Sequence, residues 1–240
     1  MLPGEGALGA RTSRTDTAGP VARRLASPRW GPMIRPMKEM DERQEAFVRR
    51  RFKQEVRRRM RAIRKGLPKD ARAERSARIA ERAAALPELE APRVVAGFVS
   101  IKGEVDPAPL LDVLRERGAA VVLPRVDFEL GAIVLHHHAP GDRLEESGFG
   151  VPEPLPSAPR ADLAAVDLAL VPALAIDPAG ARIGYGKGFY DQLLPTLPNA
   201  FRLALAYDFQ LVSEIPAEPH DQPIHALVTD TRLLRVDATG

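Results

Sequence analysis

The residues best suited to chemistry lie together at positions 177–191. Gly184, Gly186 and Gly188 alternate with larger side chains, one of which is Lys187. Glycine accepts positive φ angles and lets a ligand approach the backbone closely. A loop of this kind between a strand and a helix directs N–H groups toward phosphate oxygens, and the lysine adds a full positive charge. This stretch therefore predicts a phosphate-binding loop.

The residues flanking the glycines strengthen this interpretation. Arg182, Lys187 and Asp191 place two cations and one carboxylate beside the loop, which suits phosphate together with a divalent metal ion. The spacing matches neither the Walker motif, which needs Ser or Thr after Gly-Lys, nor the G-x-G-x-x-G dinucleotide motif. Judged by its glycines alone, the segment could equally be a hairpin turn.

Composition limits the classes of protein that the chain can be. Its 240 residues are 45% hydrophobic, enough for one sizeable core, and include no cysteine. Disulfides, thiol nucleophiles and thiolate metal sites are therefore excluded, and a reducing, cytoplasmic location is expected. No apolar run reaches the ~18 residues of a membrane span. We expect a soluble protein that does not insert into membranes.

Charge is distributed unevenly along the chain. Residues 1–82 contain 23 Lys or Arg and 10 Asp or Glu, whereas residues 83–240 contain 12 and 22. Such a basic part could bind nucleic acid, or it could pack against the acidic remainder of its own fold. It lacks the interleaved aromatic residues that stack on bases, so we expect no nucleic-acid partner.

The first forty residues differ from the rest. Residues 1–40 are rich in Gly, Ala, Pro, Arg and Ser and show no apolar period, which predicts a disordered extension. Their Arg and Ser content faintly resembles a transit peptide, and translation could instead begin at Met33, Met37 or Met40. Residues 41–240 are expected to form a single domain.

That domain should begin with two helices. Apolar residues recur every three or four positions through residues 52–67 and mark one face of a helix, which includes Ile63. Lys53, Arg57 and Arg61 form a cationic ridge along its flank. A second helix is expected over residues 69–86.

Strands and helices then alternate, which is typical of an α/β fold. A strand at 94–99, a helix at 107–117 and a strand at 119–123 form a βαβ unit. Further strands are expected at 128–138, 167–172, 202–206 and 226–229, with a short helix beginning at residue 191.

Three other sites need interpretation. Glu104 and Asp106 follow the first strand, where open α/β sheets bind ligands, although either could simply cap the next helix. His136, His137 and His138 cannot all bind one metal ion from a strand, because adjacent side chains point to opposite faces. We interpret them as surface residues. The composition of residues 219–223 predicts a turn, in which Asp221 is an ordinary turn residue unless the fold brings it beside Asp191.

With these residues identified, the chain resembles the 5-formyltetrahydrofolate cyclo-ligase family. The matching segments are Lys53-Gln-Glu-Val-Arg57, Gly103-Glu-Val-Asp106, residues 171–191, and His220-Asp221 with Val228-Thr229-Asp230. The resemblance spans residues 47–235. It implies a three-layer α/β sandwich with a mostly parallel sheet and amino-terminal helices packed on it. It also implies ATP- and Mg²⁺-dependent closure of a folate ring.

The resemblance further implies a role for individual residues. ATP would bind Lys53, Gln54, Glu55, Val56, Arg57, Arg182, Ile183, Gly184, Tyr185, Gly186, Lys187, Gly188, Phe189 and Tyr190. The folate, with or without a polyglutamate tail, would contact Val99, Glu104, Tyr185, Phe189 and Tyr190. Asp191 and Asp221 would hold Mg²⁺, and Arg182 and Lys187 would act in catalysis. A monomer is expected.

The sequence also departs from the family pattern. Ala173, Ile176, Phe189, Gln192 and Asp230 replace residues that are usual in the family, and Phe189 lacks the hydroxyl of the usual tyrosine. Sugar-phosphate isomerases and related transferases have similar sandwiches and bind phosphate without ATP, so they form an alternative class.

Overall fold

The computed structural model describes residues 41–147, 150–216, 218 and 221–236. The chain divides into two units, Met1–Asp41 and Glu42–Gly240, and every element below belongs to the second. The predicted extension, residues 1–40, lies outside the described residues. None of the helices in the described part is long and apolar enough to span a membrane.

The predicted helices and strands are present in the predicted order, together with five short strands that were not predicted. The helices are α1 (Glu42–Gly66), α2 (Lys69–Ala84), α3 (Ala108–Glu116) and α4 (Phe189–Leu193). The strands are β1 (Val94–Ala96), β2 (Ala120–Asp127), β3 (Ala132–His137), β4 (Leu144–Glu146), β5 (Pro152–Pro154), β6 (Leu168–Pro172), β7 (Ala175–Ile176), β8 (Arg182–Ile183), β9 (Phe201–Leu205), β10 (Ala226–Val228) and β11 (Leu233–Arg235).

Seven strands form one sheet in the order β11-β10-β9-β6-β1-β2-β3. The five inner strands are mutually parallel, and β3 and β11 add antiparallel edges. The parallel pair β1 and β2, joined through α3, is the predicted βαβ unit. Because the inner strands share one direction, the segments that follow β1 and β6 meet at one edge of the sheet.

Alternation of side chains along the strands produces two apolar cores. Val95, Leu168 and Leu170 face α2 and α3, whereas Ala96, Ala169 and Val171 face the side covered by Leu193 and Leu194. Period-two alternation sends neighbouring residues to opposite faces of a sheet, and both faces here are buried. The predicted α/β sandwich with a mostly parallel sheet is therefore confirmed.

Helix α1 packs on a hairpin rather than on the large sheet. Its buried residues Val56 and Met60 contact Leu174, Ala175 and Ile183, which belong to the β7–β8 hairpin and its entry. The predicted apolar face is wrong at Ile63, which is 39% exposed, while Arg64 beside it is 1% exposed. The helix turns Arg64 inward because its hydrogen-bond partners lie on that side.

The histidine run differs from its predicted surface position. His136 is buried, and its Nδ1 lies 2.7 Å from the carbonyl oxygen of Ala158. The segment around Pro159 pairs with β3 along this edge and covers the residue. His137 and His138 are half-buried. Within the described ranges, no group of three His, Cys, Asp or Glu side chains could hold a metal ion.

Candidate active site

A cavity of about 500 Å³ opens where β1 and β6 end, within the range of about 300–1,000 Å³ usual for small-molecule sites. It gathers most of the predicted site residues from segments far apart in the sequence. These are Lys53, Arg57, Val99, Glu104, Arg182, Gly184, Tyr185, Gly186, Lys187, Gly188, Phe189, Tyr190, Asp191 and Asp221.

Four predicted residues do not line this cavity. Gln54 and Glu55 are exposed on α1, where Glu55 accepts a hydrogen bond of 2.6 Å from Arg58. Val56 and Ile183 are buried in the apolar contact between α1 and the hairpin. One helical turn separates Lys53 from Arg57, so the intervening side chains point elsewhere. Nucleotide binding by these four residues stays a prediction.

The glycine loop lies between a strand and a helix, as predicted, and is not a hairpin turn. The strand directly before it is the short β8, which was not predicted, and not the predicted strand at 167–172. Gly186 and Gly188 have φ angles of 92° and 71°, which larger residues rarely adopt. Because α4 comprises only Phe189–Leu193, it aligns few peptide dipoles, and the helix-dipole contribution is small. Attraction for phosphate must come mainly from side chains and loop N–H groups.

Arg57 holds this loop against α1. Its Nε donates a 2.9 Å hydrogen bond to the carbonyl oxygen of Gly184. A Cβ atom at Gly186 would lie only 3.3 Å from the Arg57 guanidinium carbon, so this glycine also permits the close approach. Burial lowers the pKa of Arg57, with Arg61 adding to the effect, yet an arginine stays charged at neutral pH.

Ion pairs join the predicted phosphate-binding cations to carboxylates. Arg182 Nη2 lies 2.6 Å from Asp191 Oδ1. Lys53 Nζ lies 3.3 Å from Asp221 Oδ2 and 2.6 Å from Glu218 Oε2. Glu218 also lines the cavity and was not predicted from the sequence. We call Lys53, Arg57, Arg182, Lys187, Asp191, Glu218 and Asp221 the cationic side.

The carboxylates of the cationic side fit Mg²⁺ by their chemistry. Asp191 and Asp221 line one cavity, and their side chains are 28% and 16% exposed. Mg²⁺ prefers oxygen ligands and usually combines one or two carboxylates with phosphate oxygens and water. The described residues supply no cluster of three metal-binding side chains, so phosphate oxygens and water would complete the coordination of an ion held by these two carboxylates.

Glu104 lies at the other end of the glycine loop. Its Oε2 accepts a 3.1 Å bond from the Ile101 N–H, within a turn whose central residues Lys102 and Gly103 both have positive φ. Burial raises the pKa of Glu104, although the neighbouring Arg64 guanidinium opposes the shift. Asp106, in contrast, accepts from the Ala108 N–H and caps α3. Of the two carboxylates, only Glu104 lines the cavity.

Arg64 is the main site residue that sequence reasoning missed. Its Nη2 lies 3.1 and 2.9 Å from the carbonyl oxygens of Ile101 and Lys102 and 2.5 Å from the Tyr185 hydroxyl. Its Nη1 lies 3.8 Å from Glu104 Oε1. The available signal was its place four residues after Met60 on the apolar face of the helix. A charged residue there needs buried partners.

Tyr185 connects the turn at residues 101–104 to the glycine loop. Its hydroxyl hydrogen-bonds with Glu104, and burial raises the pKa of the phenol to about 12. It therefore stays protonated at neutral pH. Arg61 and Lys102 lie 5.4 and 5.8 Å from the ring centroid, within cation–π range. Burial likewise raises the pKa of Tyr190, whose ring lies 5.8 Å from the Arg182 guanidinium.

The opposite part of the cavity is mostly apolar and comes from β2, β3 and β5. We call it the apolar side, and it consists of Pro124, Val126, Ile133, Val151, Pro152 and Glu153. Only Glu153 among these is charged, and it is 3% exposed. The sequence predicted a Pro/Gly loop here and no site residue. Together the two sides can hold a phosphate-bearing anion next to a flat organic ring.

Comparisons with known proteins show the family to which the chain is similar. The 5-formyltetrahydrofolate cyclo-ligase family model matches residues 49–230. The 5-formyltetrahydrofolate cyclo-ligase of Mycolicibacterium smegmatis is 39% identical over 146 residues, covering 58% of this chain and 75% of that protein. The Escherichia coli K12 protein of the same name is 30% identical over 178 residues, covering 72% and 98%.

A solved structure is similar as well. That of Aquifex aeolicus 5,10-methenyltetrahydrofolate synthetase matches with a TM-score of 0.67 and 31% identity, over 78% of this chain and 94% of that one. Sequence, fold and cavity thus confirm the resemblance read from the motifs. The chain belongs to the 5-formyltetrahydrofolate cyclo-ligase family.

Proposed function

We propose that this chain uses ATP and Mg²⁺ to convert 5-formyltetrahydrofolate into 5,10-methenyltetrahydrofolate, with release of ADP and phosphate. The observation that carries this proposal is the convergence of four distant motif segments on one cavity with a cationic side and an apolar side. The names of the relatives and of the similar structure supply the reaction.

The chemistry explains why such a site needs a phosphate-binding half. A formamide is a poor electrophile, and its oxygen is a poor leaving group. The formyl oxygen attacks the γ-phosphorus, and the bond from that phosphorus to ADP breaks. Folate N10 then attacks the formyl carbon, phosphate departs with the formyl oxygen, and N10 loses its proton. The protein contributes mainly positioning and charge neutralisation.

Residues of the cationic side supply that neutralisation. Lys187 and Arg182 are the catalytic groups of the proposal, because Lys187 lies within the glycine loop, where the transferring phosphoryl group would lie, and Arg182 lies two residues before that loop. Lys53 and Arg57 reach the same region from α1. In the unliganded arrangement Arg182 and Lys53 pair with Asp191 and Asp221. Phosphate and metal together can replace these pairs without leaving a charge unbalanced.

Asp191 and Asp221 would hold Mg²⁺ on the cationic side. When bound, the ion would neutralise charge on the phosphates during transfer of the phosphoryl group. The folate would contact Val99, Glu104, Tyr185, Phe189 and Tyr190, all of which line the cavity. Since one chain supplies both sides of the cavity, we expect the monomer to be active and to need no nucleic acid.

The test is the absorbance of the methenyl product formed from 5-formyltetrahydrofolate with and without Mg-ATP. We expect product only when both ATP and Mg²⁺ are present, with one phosphate released for each folate cyclised. Folded protein that releases phosphate without forming the methenyl product, or that forms neither, would overturn the proposal. Gel filtration of the active fraction tests the monomer.

A further inference from the structure

Glu153 is a buried carboxylate that the reaction described above does not use. It lies on β5 within the apolar side and is 3% exposed. Its Oε2 accepts a 3.2 Å hydrogen bond from the Val126 N–H, and its carboxylate also hydrogen-bonds with the Ser147 side chain. Both contacts hold the group at the cavity wall.

The charge of Glu153 is less well compensated than that of Glu104. In the described residues Glu153 forms no salt bridge, whereas Glu104 has the Arg64 guanidinium 3.8 Å away. Arg125, whose charge acts on Glu153, instead pairs with Glu145 at 2.8 Å and donates to the Pro154 carbonyl at 2.6 Å. Burial accordingly raises the pKa of Glu153.

Burying a carboxylate costs free energy unless hydrogen-bond donors or a cation compensate its charge. The wall around it is apolar, comprising Pro124, Val126, Ile133, Val151 and Pro152. Phosphates and the carboxylates of a glutamate tail are excluded from this wall by its apolar surface and by the like charge. A flat ring that carries N–H donors can pack on this apolar wall and donate hydrogen bonds to the carboxylate.

Two rings compete for this position if the proposed function holds, and this inference rests on that function. The pterin of a reduced folate presents a 2-amino group directly beside N3–H, so a carboxylate can accept from both. Adenine presents its amino group between two ring nitrogens that only accept, so one carboxylate oxygen would face a repelling lone pair.

We propose that Glu153 binds the 2-amino and N3–H edge of the pterin and selects the folate against rings without those donors. Its role is in binding and specificity. Glu104, held by Arg64 and Tyr185, lies at the end of the cavity nearer the glycine loop. The two carboxylates therefore contact different parts of the substrate.

The first arm of the experiment measures binding without turnover. Equilibrium dialysis gives the dissociation constant of 5-formyltetrahydrofolate for wild type, Glu153→Gln and the control Glu146→Gln. Glu146 is exposed on β4 of the same hairpin. We expect weaker binding by about 10- to 100-fold in Glu153→Gln, as for loss of hydrogen bonds to a charged group, and no change in the control. The KM for ATP should change less than about twofold.

The second arm uses the wild-type protein alone and so does not depend on how the variant folds. A 5-formyltetrahydrofolate analogue that lacks the 2-amino group should bind about tenfold more weakly or worse. Where Glu153→Gln folds, its discrimination between the two ligands should disappear.

The outcomes separate the two proposals. Wild type that neither binds nor cyclises 5-formyltetrahydrofolate defeats the proposed function. Wild type that cyclises it but binds the analogue equally well defeats the role of Glu153. The same role is defeated if Glu153→Gln keeps wild-type discrimination, or if its main defect is in the KM for ATP.

Discussion

On the cationic side of the cavity, buried cations face partly exposed carboxylates in pairs. Arg182 meets Asp191 at 2.6 Å, and Lys53 meets Glu218 at 2.6 Å. The carboxylates of Glu104, beside the glycine loop, and of Glu153, on the apolar side, are both buried, and their main partners are backbone N–H groups and uncharged side chains. Glu104 also has the buried guanidinium of Arg64 at 3.8 Å.

This difference indicates how each side can be used. The carboxylate of each pair reaches water, and a ligand with both phosphate and metal can take its place beside the buried cation without leaving a charge unpaired. Buried carboxylates hold a fixed geometry, because moving or neutralising them leaves polar groups unsatisfied. We therefore expect substitutions on the cationic side to change catalysis more than stability. Substitutions around Glu104 should affect both.

The largest effect is expected from Lys187→Ala. If Lys187 neutralises charge on the phosphoryl group, its loss should lower kcat by roughly two to three orders of magnitude with little change in melting temperature. Steady-state assays of the methenyl product measure this. Lys69→Ala, at the exposed start of α2, is the matched control and should behave as wild type. Turnover of Lys187→Ala within about threefold of wild type would remove it from the mechanism.

Next in size is the effect of Arg64→Met on folding. The change removes donors to Ile101, Lys102 and Tyr185 and leaves Glu104 without its neighbouring cation. We expect the free energy of unfolding to fall by about 3 kcal/mol, as for other broken buried ion pairs. Urea denaturation followed by circular dichroism measures it.

The control for this experiment is Arg61→Met on the same helix. Arg61 is exposed, and its guanidinium lies 5.4 Å from the centroid of the Tyr185 ring. Its replacement should cost less than about 1 kcal/mol. Equal stability of the two variants would show that Arg64 does not hold the turn at residues 101–104 and the glycine loop together.

A smaller and more specific effect is expected from Asp221→Asn. The amide keeps the shape but removes the charge that pairs with Lys53 and would bind Mg²⁺. With a non-hydrolysable ATP analogue present, the dissociation constant for Mn²⁺, measured by electron paramagnetic resonance, should rise about tenfold. The dissociation constant for the folate should change far less. Wild-type Mn²⁺ binding would make Asp221 a turn residue with no role toward the metal.

The fold was predictable because its signals are local. Alternating apolar residues and Gly or Pro boundaries placed the inner strands, such as Leu168–Pro172, within a few residues. The short pairs β4–β5 and β7–β8 were missed, since strands of two or three residues carry almost no periodic signal. His136 was misplaced because its burial depends on a covering segment that pairs with β3 from further along the chain.

The site was predictable only where residue type and spacing coincide. The glycine loop and its cations met both conditions. Arg64, Glu218 and Glu153 did not, because their roles depend on partners that are distant in sequence, such as Tyr185 for Arg64 and Lys53 for Glu218. The spacing of residues in a sequence does not show which charged residue on a helix will contact a turn that follows a distant strand.

The smallest expected effect concerns pH and separates the two sides most directly. Burial raises the pKa of Glu153 in the folded state above its ordinary value of 4.5. The folded protein thus holds this proton more tightly than the unfolded chain, and the resulting stability is complete below pH 4.5 and lost as pH rises through the folded pKa.

Glu153→Gln has no carboxyl group at this position, so it cannot lose this contribution to stability as pH rises. Urea denaturation between pH 4 and pH 8 should show the variant gaining stability relative to wild type as pH rises. Asp221→Asn, which loses a carboxylate that lies 3.3 Å from the Lys53 ammonium, is measured alongside as the comparison from the cationic side. Parallel pH profiles for Glu153→Gln and wild type would mean that Glu153 is charged at no cost, and the contrast between the two sides would fail.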